Sequence, residues 1–556
     1  MPKRLRFIAM AVLCLAVMLA AAAPAMAVHR PKHVMIVVMD QMHPEYAKQF
    51  NMTNVLFLQN HGVNFPKAYV GDMASETVVS HNVMVSGQFP KHMGWSDEAF
   101  RDTDNIVGQG ENAIITSGDL GFADYVKLVE NMDYPKLGDY LRVKFPGTIV
   151  ANVGQKGYQV ESMAASSSDY YVRMGSAKAT STLPTDTVPW TGKYRGPSGN
   201  VPEYIKTDAR FDISAGNPSD TYETTFTAPA WMYPEDGRYA VGPYPGHESG
   251  DNWVADAALK IMDNETWSGL WVTFSSMDKI GHMWGGGAVD TVATYGWDPA
   301  SIFREIHMPW VAKNADDQLG RLIAELKAKG IFNDTLIIVT ADHASTYGKN
   351  DGFKGVNEFG GGDVNWYAGS WHAGNTATLS TSPGSPSLKP LMDTGNVAFS
   401  YQSTAIETWL KERNMTKKKE AAAVMETLPG VIATYVKNGD TYKQYSALTT
   451  MPAADRPWWM AHGQELVNTM CWSGSADVVG LLADYTSYGV YGDHGGAQQD
   501  VQRIPMVFSM PGMKRAVSNS GFRLVDIMPT ILKSMGIKAD KTAPMDGTAY
   551  SLMLPK

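Results

Sequence analysis

Short apolar runs bounded by polar residues recur along this chain. They contain valine, isoleucine, leucine and methionine with few interruptions, and three of them are followed by an aspartate, either directly or within four residues. Continuous apolar runs of this length are typical of strands that are buried on both faces of a sheet. The predicted strands lie at 33–39, 148–153, 269–274, 335–341 and 504–510.

Helical spacing appears between these runs. Leu319, Leu322, Ile323 and Leu326 follow a helical repeat, and Gly330 is predicted to end that helix. Alternating strands and helices favour a three-layer α/β/α sandwich with a mostly parallel central sheet. In such sheets, ligands bind beyond the carboxyl ends of the strands.

Two long stretches interrupt the alternation, at about 158–250 and about 345–475. The first is rich in Ser, Thr, Pro and Gly, and the second contains a Gly-Gly-Gly run, a Lys-Lys-Lys run and several tryptophans. We interpret both as capping insertions on a single domain that spans 28–556. A chain of 556 residues is long enough for a large core.

The N-terminus has the pattern of a secretory signal peptide. Lys3, Arg4 and Arg6 precede an apolar run over 7–23, and Ala25-Met26-Ala27 offers a cleavage site after Ala27. The sequence therefore predicts a signal peptide over 1–27 and an exported, periplasmic protein whose mature chain has no membrane span.

Charge and cysteine content narrow the possible chemistry. The net charge is -9, and no Lys/Arg cluster after the N-terminus suggests a nucleic-acid groove. After cleavage Cys471 is the remaining cysteine, so neither an intrachain disulfide nor a multi-thiolate metal site is expected. A transition metal would be held by His, Asp and Glu.

Acids and histidines with ligand-like spacing follow the predicted strands. Asp278 and His282 are four residues apart, which places both side chains on one face of a helix. Asp342 and His343 follow a strongly apolar strand directly. Each pair alone is common and is often a surface pair or a helix cap, so the hypothesis of a metal site depends on the whole set.

Taken together, these motifs resemble the alkaline phosphatase superfamily, particularly its phosphodiesterase/nucleotide pyrophosphatase branch. The resemblance follows most of the mature chain in the same order. It is carried by Asp40, by the segment 73–94 around Thr77, by Asp278-x-x-Gly281-His282, by Asp342-His343 and by His494-Gly495.

The resemblance implies two divalent metal ions and a threonine nucleophile. Asp278, His282 and His494 would hold one ion, while Asp40, Asp342 and His343 would hold the other. Thr77 would lie between the two ions, bind metal and form a covalent phospho-threonine. Ligand sets of His and carboxylate favour zinc, with manganese and iron as alternatives.

Two further positions concern the substrate. Lys156 resembles a lysine that contacts a phosphoryl oxygen in some relatives, but Tyr158 stands where those relatives have arginine. Glu98 stands where an asparagine that binds the phosphoryl group is expected. A carboxylate at that place would repel a phosphoryl oxygen unless it were protonated or paired with a cation.

The resulting hypothesis is a metal-dependent phosphoester hydrolase that acts on a small phosphodiester, phosphonate or phosphomonoester. A sulfatase-like hydrolase would need Cys or Ser at the nucleophile position together with Pro and Arg, which the segment 77–81 lacks. The alternative from another class is a catalytically silent or specialised metal-containing binding protein of the same fold, and Glu98 is the main reason to retain it.

Overall fold

A computed structural model describes residues 28–555 in part, and the statements below concern those residues. The ranges outside the description are 118–119, 132–133, 165–166, 175–186, 191–196, 214–220, 223–225, 230–241, 243–246, 285–298, 347–387, 429, 447–455, 485–486 and 489–491. The predicted signal peptide and parts of both predicted insertions lie outside the described residues.

Within the described chain, a nine-stranded sheet forms the centre of the fold, in the order β18-β2-β17-β11-β1-β10-β5-β6-β8. Its strands run in one direction apart from β17 and β8, which are antiparallel to their neighbours. The strands are β1 His33–Met39, β2 Gly62–Asn64, β5 Ile149–Gly154, β6 Tyr170–Arg173, β8 Ser198–Asn200, β10 Trp267–Phe274, β11 Thr335–Thr340, β17 Met506–Ser509 and β18 Ala516–Val517.

A second, antiparallel sheet has the order β12-β13-β16-β14-β15 and a small apolar core of its own. Two short ribbons pair β3 with β4 and β7 with β9. These strands are β3 Ala99–Asp102, β4 Ala113–Thr116, β7 Thr187–Trp190, β9 Phe226–Pro229, β12 Val397–Gln402, β13 Ala405–Leu410, β14 Val431–Asn438, β15 Thr441–Gln444 and β16 Val478–Leu482.

Helices cover both faces of the central sheet. One layer is formed by contacts among α2, α9, α10 and α11, and the other by contacts among α3, α6, α7 and α16. The helices are α1 Tyr46–Gln49, α2 Thr53–Asn60, α3 Thr77–Ser86, α4 Pro90–Met93, α5 Phe122–Glu130, α6 Leu137–Lys144, α7 Gly157–Ala164, α8 Glu203–Lys206, α9 Ser249–Asn264, α10 Ser276–Trp284, α11 Pro299–Ala328, α12 Lys389–Met392, α13 Met415–Met425, α14 Arg456–Thr469, α15 Gln499–Gln502 and α16 Ile527–Met535. None of these described helices combines the length and apolar character that crossing a bilayer would require.

The predicted three-layer α/β/α architecture with a mostly parallel sheet is confirmed. The apolar run of β1 is almost completely buried because parallel strands β10 and β11 flank it and helices cover it on both faces. Burial on both faces explains why the run lacks the alternation of a half-exposed strand.

The direction of the strands brings several chain segments to one edge. The carboxyl ends of β1, β5, β10 and β11 meet there because these strands are parallel. Strand β17 is antiparallel to β11, so it begins at this same edge, and the loop that precedes it arrives there too.

Candidate functional site

Asp40, Asp342 and His343 form a compact group at the carboxyl ends of β1 and β11. All three side chains are 0% exposed, and their potential ligand atoms lie within 4.8 Å of one another. The Nε2 atom of His343 lies 3.6 Å from Asp40 Oδ1 and 3.7 Å from Asp342 Oδ2. Its Nδ1 atom lies 2.9 Å from the carbonyl oxygen of Ala344. A carbonyl only accepts, so Nδ1 donates, and in the neutral imidazole that a metal ligand must be, the lone pair of Nε2 would face the two carboxylates.

Asp278, His282 and His494 form a second group beside the first. Asp278 Oδ1 lies 3.1 Å from His282 Nε2 and 3.9 Å from His494 Nε2. The two imidazole Nε2 atoms are 3.2 Å apart. Asp278 and His282 lie on one face of α10, and His494 belongs to the loop before α15 and β17. His343 also converges with Asp278 and His494, so it stands between the two groups.

The chemistry of these residues fits metal ions. Asp40 Oδ1 and Asp342 Oδ2 are buried and have no hydrogen-bond partner among the described residues. An unsatisfied buried carboxylate oxygen is costly, so these atoms are better explained as ligands. Burial, with Asp278 and Asp342 nearby, raises the pKa of Asp40 well above its usual range. Burial and the neighbouring histidines lower the pKa of His494 well below its usual value, which keeps the imidazole neutral as a ligand must be.

Thr77 lies at the first helical position of α3, and its side chain is directed to the two groups of candidate metal ligands. Its Oγ1 atom is 3.1 Å from His343 Nε2, and the residue is 3% exposed. The N-cap residue of α3 is Glu76, which has extended backbone and no side-chain cap bond. Thr77 therefore does not serve as the N-cap of α3, because Glu76 occupies that position.

Lys156 follows β5 and lies between the two groups. Its Nζ atom donates to Asp40 Oδ2 at 2.7 Å and to Asp278 Oδ2 at 2.5 Å. Burial alone would lower the pKa of Lys156, but the carboxylates of Asp278 and Asp40 outweigh it and raise that pKa well above its usual value. The ammonium therefore stays charged and contacts two candidate metal ligands directly.

Glu98 lies in a buried acidic cluster, which we define as Glu76, Asp97, Glu98 and Glu407. Tyr401 of β12 donates to Glu76 Oε1 at 2.9 Å and lies 3.4 Å from Glu98 Oε2. Burial, followed by the nearby carboxyls of Glu98 and Asp97, raises the pKa of Glu76 well above its usual range. Gly495 follows the candidate ligand His494, and a Cβ atom there would lie 2.1 Å from Glu76 Oε1. The acidic cluster therefore borders both helix α3 and the groups of candidate metal ligands.

Two glutamines support the candidate ligands and were not predicted from the sequence. Gln41 donates to Asp278 Oδ1 at 3.3 Å and to the carbonyl oxygen of Gly492 at 2.8 Å. Gln159 donates to Asp40 Oδ2 at 2.5 Å. The glycine of the Asp278-x-x-Gly281-His282 motif was the available signal, because a Cβ at Gly281 would lie 1.6 Å from Gln41 Oε1.

The buried imidazole of His43, close to the candidate metal ligands, leads us to expect that the stability of the protein depends on pH. Burial, with Arg503 and His343 nearby, lowers the pKa of His43 to about 3. The native state holds this imidazole neutral, so its contribution is present above the unfolded pKa of about 6.5 and is lost as pH falls below it. Between pH 7.5 and 5.5, we expect metal-free wild type to lose about 1.4 kcal/mol more unfolding free energy than His43→Gln. Denaturant unfolding at both pH values measures this difference, and equal losses would contradict it.

Comparison with known proteins shows which family this chain matches. The model of the type I phosphodiesterase / nucleotide pyrophosphatase family matches residues 34–454. The alkaline phosphatase PhoK of a Sphingomonas species is 23% identical over 588 aligned residues, which cover 95% of this chain and 92% of that protein. The crystal structure of wild-type alkaline phosphatase PafA superposes with a TM-score of 0.60 at 15% identity, covering 94% of this chain and 99% of PafA. The chain therefore belongs to the type I phosphodiesterase / nucleotide pyrophosphatase family, a phosphodiesterase-like branch of the alkaline phosphatase superfamily.

Proposed function

We propose that this chain is an exported, zinc-dependent phosphoester hydrolase in which Thr77 forms a covalent phospho-threonine. The observation that carries the proposal is the position of Thr77 Oγ1, 3.1 Å from His343 Nε2. His343 converges with both groups of candidate ligands, which supports a position of the hydroxyl between two metal ions. The family match supports phosphoester chemistry, and the basic and apolar N-terminal pattern supports export.

Thr77 would attack the phosphorus atom, and the bond to the leaving oxygen would break as that oxygen departs. Water would then hydrolyse the phospho-threonine, releasing the phosphoryl product and restoring the hydroxyl. The first-turn N–H groups of α3, which the side chain of Glu76 does not cap, would favour negative charge on the attacking oxygen and on the phosphoryl group. Two bound divalent ions would lower the pKa of the threonine hydroxyl and stabilise charge on the attacking and leaving oxygens.

The acidic cluster favours substrates that carry little negative charge. A phosphomonoester can reach a charge of -2, whereas a phosphodiester or phosphonate monoester carries -1. Glu76 directly precedes Thr77 in the sequence, and the hydroxyl of Tyr401 contacts the carboxyls of both Glu76 and Glu98. Ionised carboxyls of this cluster would repel an added unit of substrate charge, and protonated ones would offer it no cation, so we propose phosphodiesters or phosphonate monoesters as the substrate class.

Replacement of Glu98 by asparagine tests this preference. We expect Glu98→Asn to raise kcat/KM for p-nitrophenyl phosphate relative to bis-p-nitrophenyl phosphate by about tenfold, because one carboxyl near the phosphoryl group is removed. Glu407→Gln is the matched control, since it removes a carboxyl of the same cluster that contacts Asp97. A ratio that is unchanged in Glu98→Asn, or changed equally in both variants, would argue against a role in selecting substrate charge.

A panel of four esters tests the function itself. Zinc-reconstituted mature protein would be assayed with p-nitrophenyl phosphate, bis-p-nitrophenyl phosphate, p-nitrophenyl phenylphosphonate and p-nitrophenyl sulfate between pH 6 and 9. We expect turnover of the phosphoryl compounds, with the diester or phosphonate preferred, and little turnover of the sulfate. Preference for sulfate would favour a sulfatase-like hydrolase. Bound zinc without turnover of any ester would favour the specialised binding protein.

A further inference from the structure

Lys156 joins the two groups of candidate metal ligands through one carboxylate from each. The ammonium is 2.7 Å from an oxygen of Asp40 and 2.5 Å from an oxygen of Asp278. Its residue is 8% exposed, so the contacts are formed with little access to water. Asp40, Lys156 and Asp278 follow three different strands of the central sheet, β1, β5 and β10, and the two contacts span 116 and 122 positions of sequence.

The two oxygens of each carboxylate have different partners. The Oδ2 atoms of Asp40 and Asp278 face Lys156. Their Oδ1 atoms face the histidines: Asp40 Oδ1 lies 3.6 Å from His343 Nε2, and Asp278 Oδ1 lies 3.1 Å from His282 Nε2. Lys156 therefore fixes the orientation of both carboxylates. The other oxygen of each carboxylate remains directed towards the histidines of its own group of candidate ligands.

Charge makes this arrangement more than a structural contact. Asp40, Asp278 and Asp342 are three buried carboxyls within one site, and in the absence of metal their mutual repulsion opposes folding. A buried ammonium between two of them offsets that repulsion. Once divalent ions enter the same site, the ammonium and the ions repel each other, because all are cations held by the same carboxylates.

We propose that Lys156 is the resident cation of the metal-free site, and that its interaction with both carboxylates makes the binding of two metal ions cooperative. The inference rests on the proposed two-metal site. The first ion to enter weakens the interaction of Lys156 with the carboxylates, including the one in the other group. The second ion then binds a carboxylate that is already released, so the cost of displacing the ammonium falls mainly on the first ion.

Without the ammonium, the first metal ion is expected to bind more tightly than the second. The first ion would enter a site with uncompensated carboxylates and bind more tightly. The second would meet the repulsion of the first with no compensating release, so the two ions would bind in separate steps. Lys156 is thus a positioning residue for the ligands, and its removal has a signature in metal binding that a residue important only for packing would lack.

The test is a zinc titration of the metal-free mature protein against a competing chromophoric chelator, combined with thermal unfolding before and after zinc addition. Lys156→Met removes the charge and keeps a long side chain, and Lys156→Gln is a second neutral variant in case the first fails to fold. Lys136→Met is the control, because Lys136 is a buried lysine at the N-terminus of α6.

For wild type we expect two zinc ions to bind in one cooperative transition. For the neutral Lys156 variants we expect two separate steps, a first step about tenfold tighter than in wild type, and a metal-free unfolding midpoint lower by about 5 °C. After zinc addition the unfolding midpoint of these variants should approach that of wild type. The Lys136→Met control should lower the midpoints of both forms equally and leave the zinc isotherm unchanged.

Cooperative two-ion binding that persists in both neutral variants would overturn the role of Lys156 and leave the proposed function intact. Equal losses of midpoint in the metal-free and zinc-loaded forms would also overturn it, since they would indicate a purely structural lysine. Wild type that binds no zinc would overturn this inference and the two-metal hydrolase together.

Discussion

Thr77→Ala is expected to lower kcat/KM for the best phosphoryl substrate by at least about a thousandfold, because it removes the attacking oxygen. The hydroxyl is 3.1 Å from His343 Nε2 and lies at the first turn of α3, whereas the methyl group of alanine offers neither a nucleophile nor a ligand. Steady-state kinetics of zinc-reconstituted protein measures the loss. Mass spectrometry of acid-quenched wild type should in addition detect phosphate on Thr77.

Thr77→Ser is the matched control, because serine keeps the hydroxyl and loses only a methyl group. We expect it to retain far more activity than Thr77→Ala and to form a phospho-serine. If Thr77→Ala kept wild-type kcat/KM, hydrolysis would have to proceed by direct attack of water, and the covalent mechanism would be wrong.

Asp342→Asn is expected to bind one zinc ion instead of two, and its kcat/KM is expected to be lower by about a thousandfold. Asp342 Oδ2 is buried without a hydrogen-bond partner among the described residues, and it lies 3.7 Å from His343 Nε2. An amide at this position carries no charge, so the group formed with Asp40 and His343 would hold a divalent ion far less tightly. Elemental analysis after gel filtration measures the stoichiometry, and kinetics on the same samples measures the activity.

The control for this variant is Asp316→Asn on α11. Asp316 is also a buried acid, but its carboxylate accepts hydrogen bonds from the backbone N–H groups of Asn54 and Val55. Its replacement should lower stability and leave the zinc content at two ions. Full zinc content and full activity in Asp342→Asn would exclude Asp342 as a ligand.

Much of the fold could be predicted because burial leaves a local trace in the sequence. A strand covered on both faces is apolar at most of its positions, so β1 and β11 are visible as nearly continuous apolar runs. The helical spacing of α11 and the terminating Gly330, which adopts a φ of +71°, are equally local signals. The acids that follow the strands could be expected at one edge because parallel strands share the direction of their carboxyl ends.

The sequence did not predict how the candidate metal ligands group around His343, because that grouping depends on the tertiary structure. His494 reaches the site because β17 is antiparallel to β11 and begins at the sheet edge where β1, β5, β10 and β11 end, and no local pattern in residues 492–496 indicates that direction. His343 converges with both groups, whereas the family resemblance assigned it to one. The support of Asp278 by Gln41 also depends on the fold, since glutamine is common and its role becomes visible only beside Gly281.

The sequence by itself therefore determined the class of fold, the order of the acids and histidines along the chain, and the threonine placed among them. Tertiary structure alone decided that Lys156 bridges Asp40 and Asp278 and that Tyr401 of the second sheet reaches Glu98 across 303 positions. The physical reason is range: propensity, burial and periodicity act over a few residues and are encoded locally. Contacts between distant carboxylates, ammonium groups and hydroxyls depend on strand order and layer packing, which no short segment specifies.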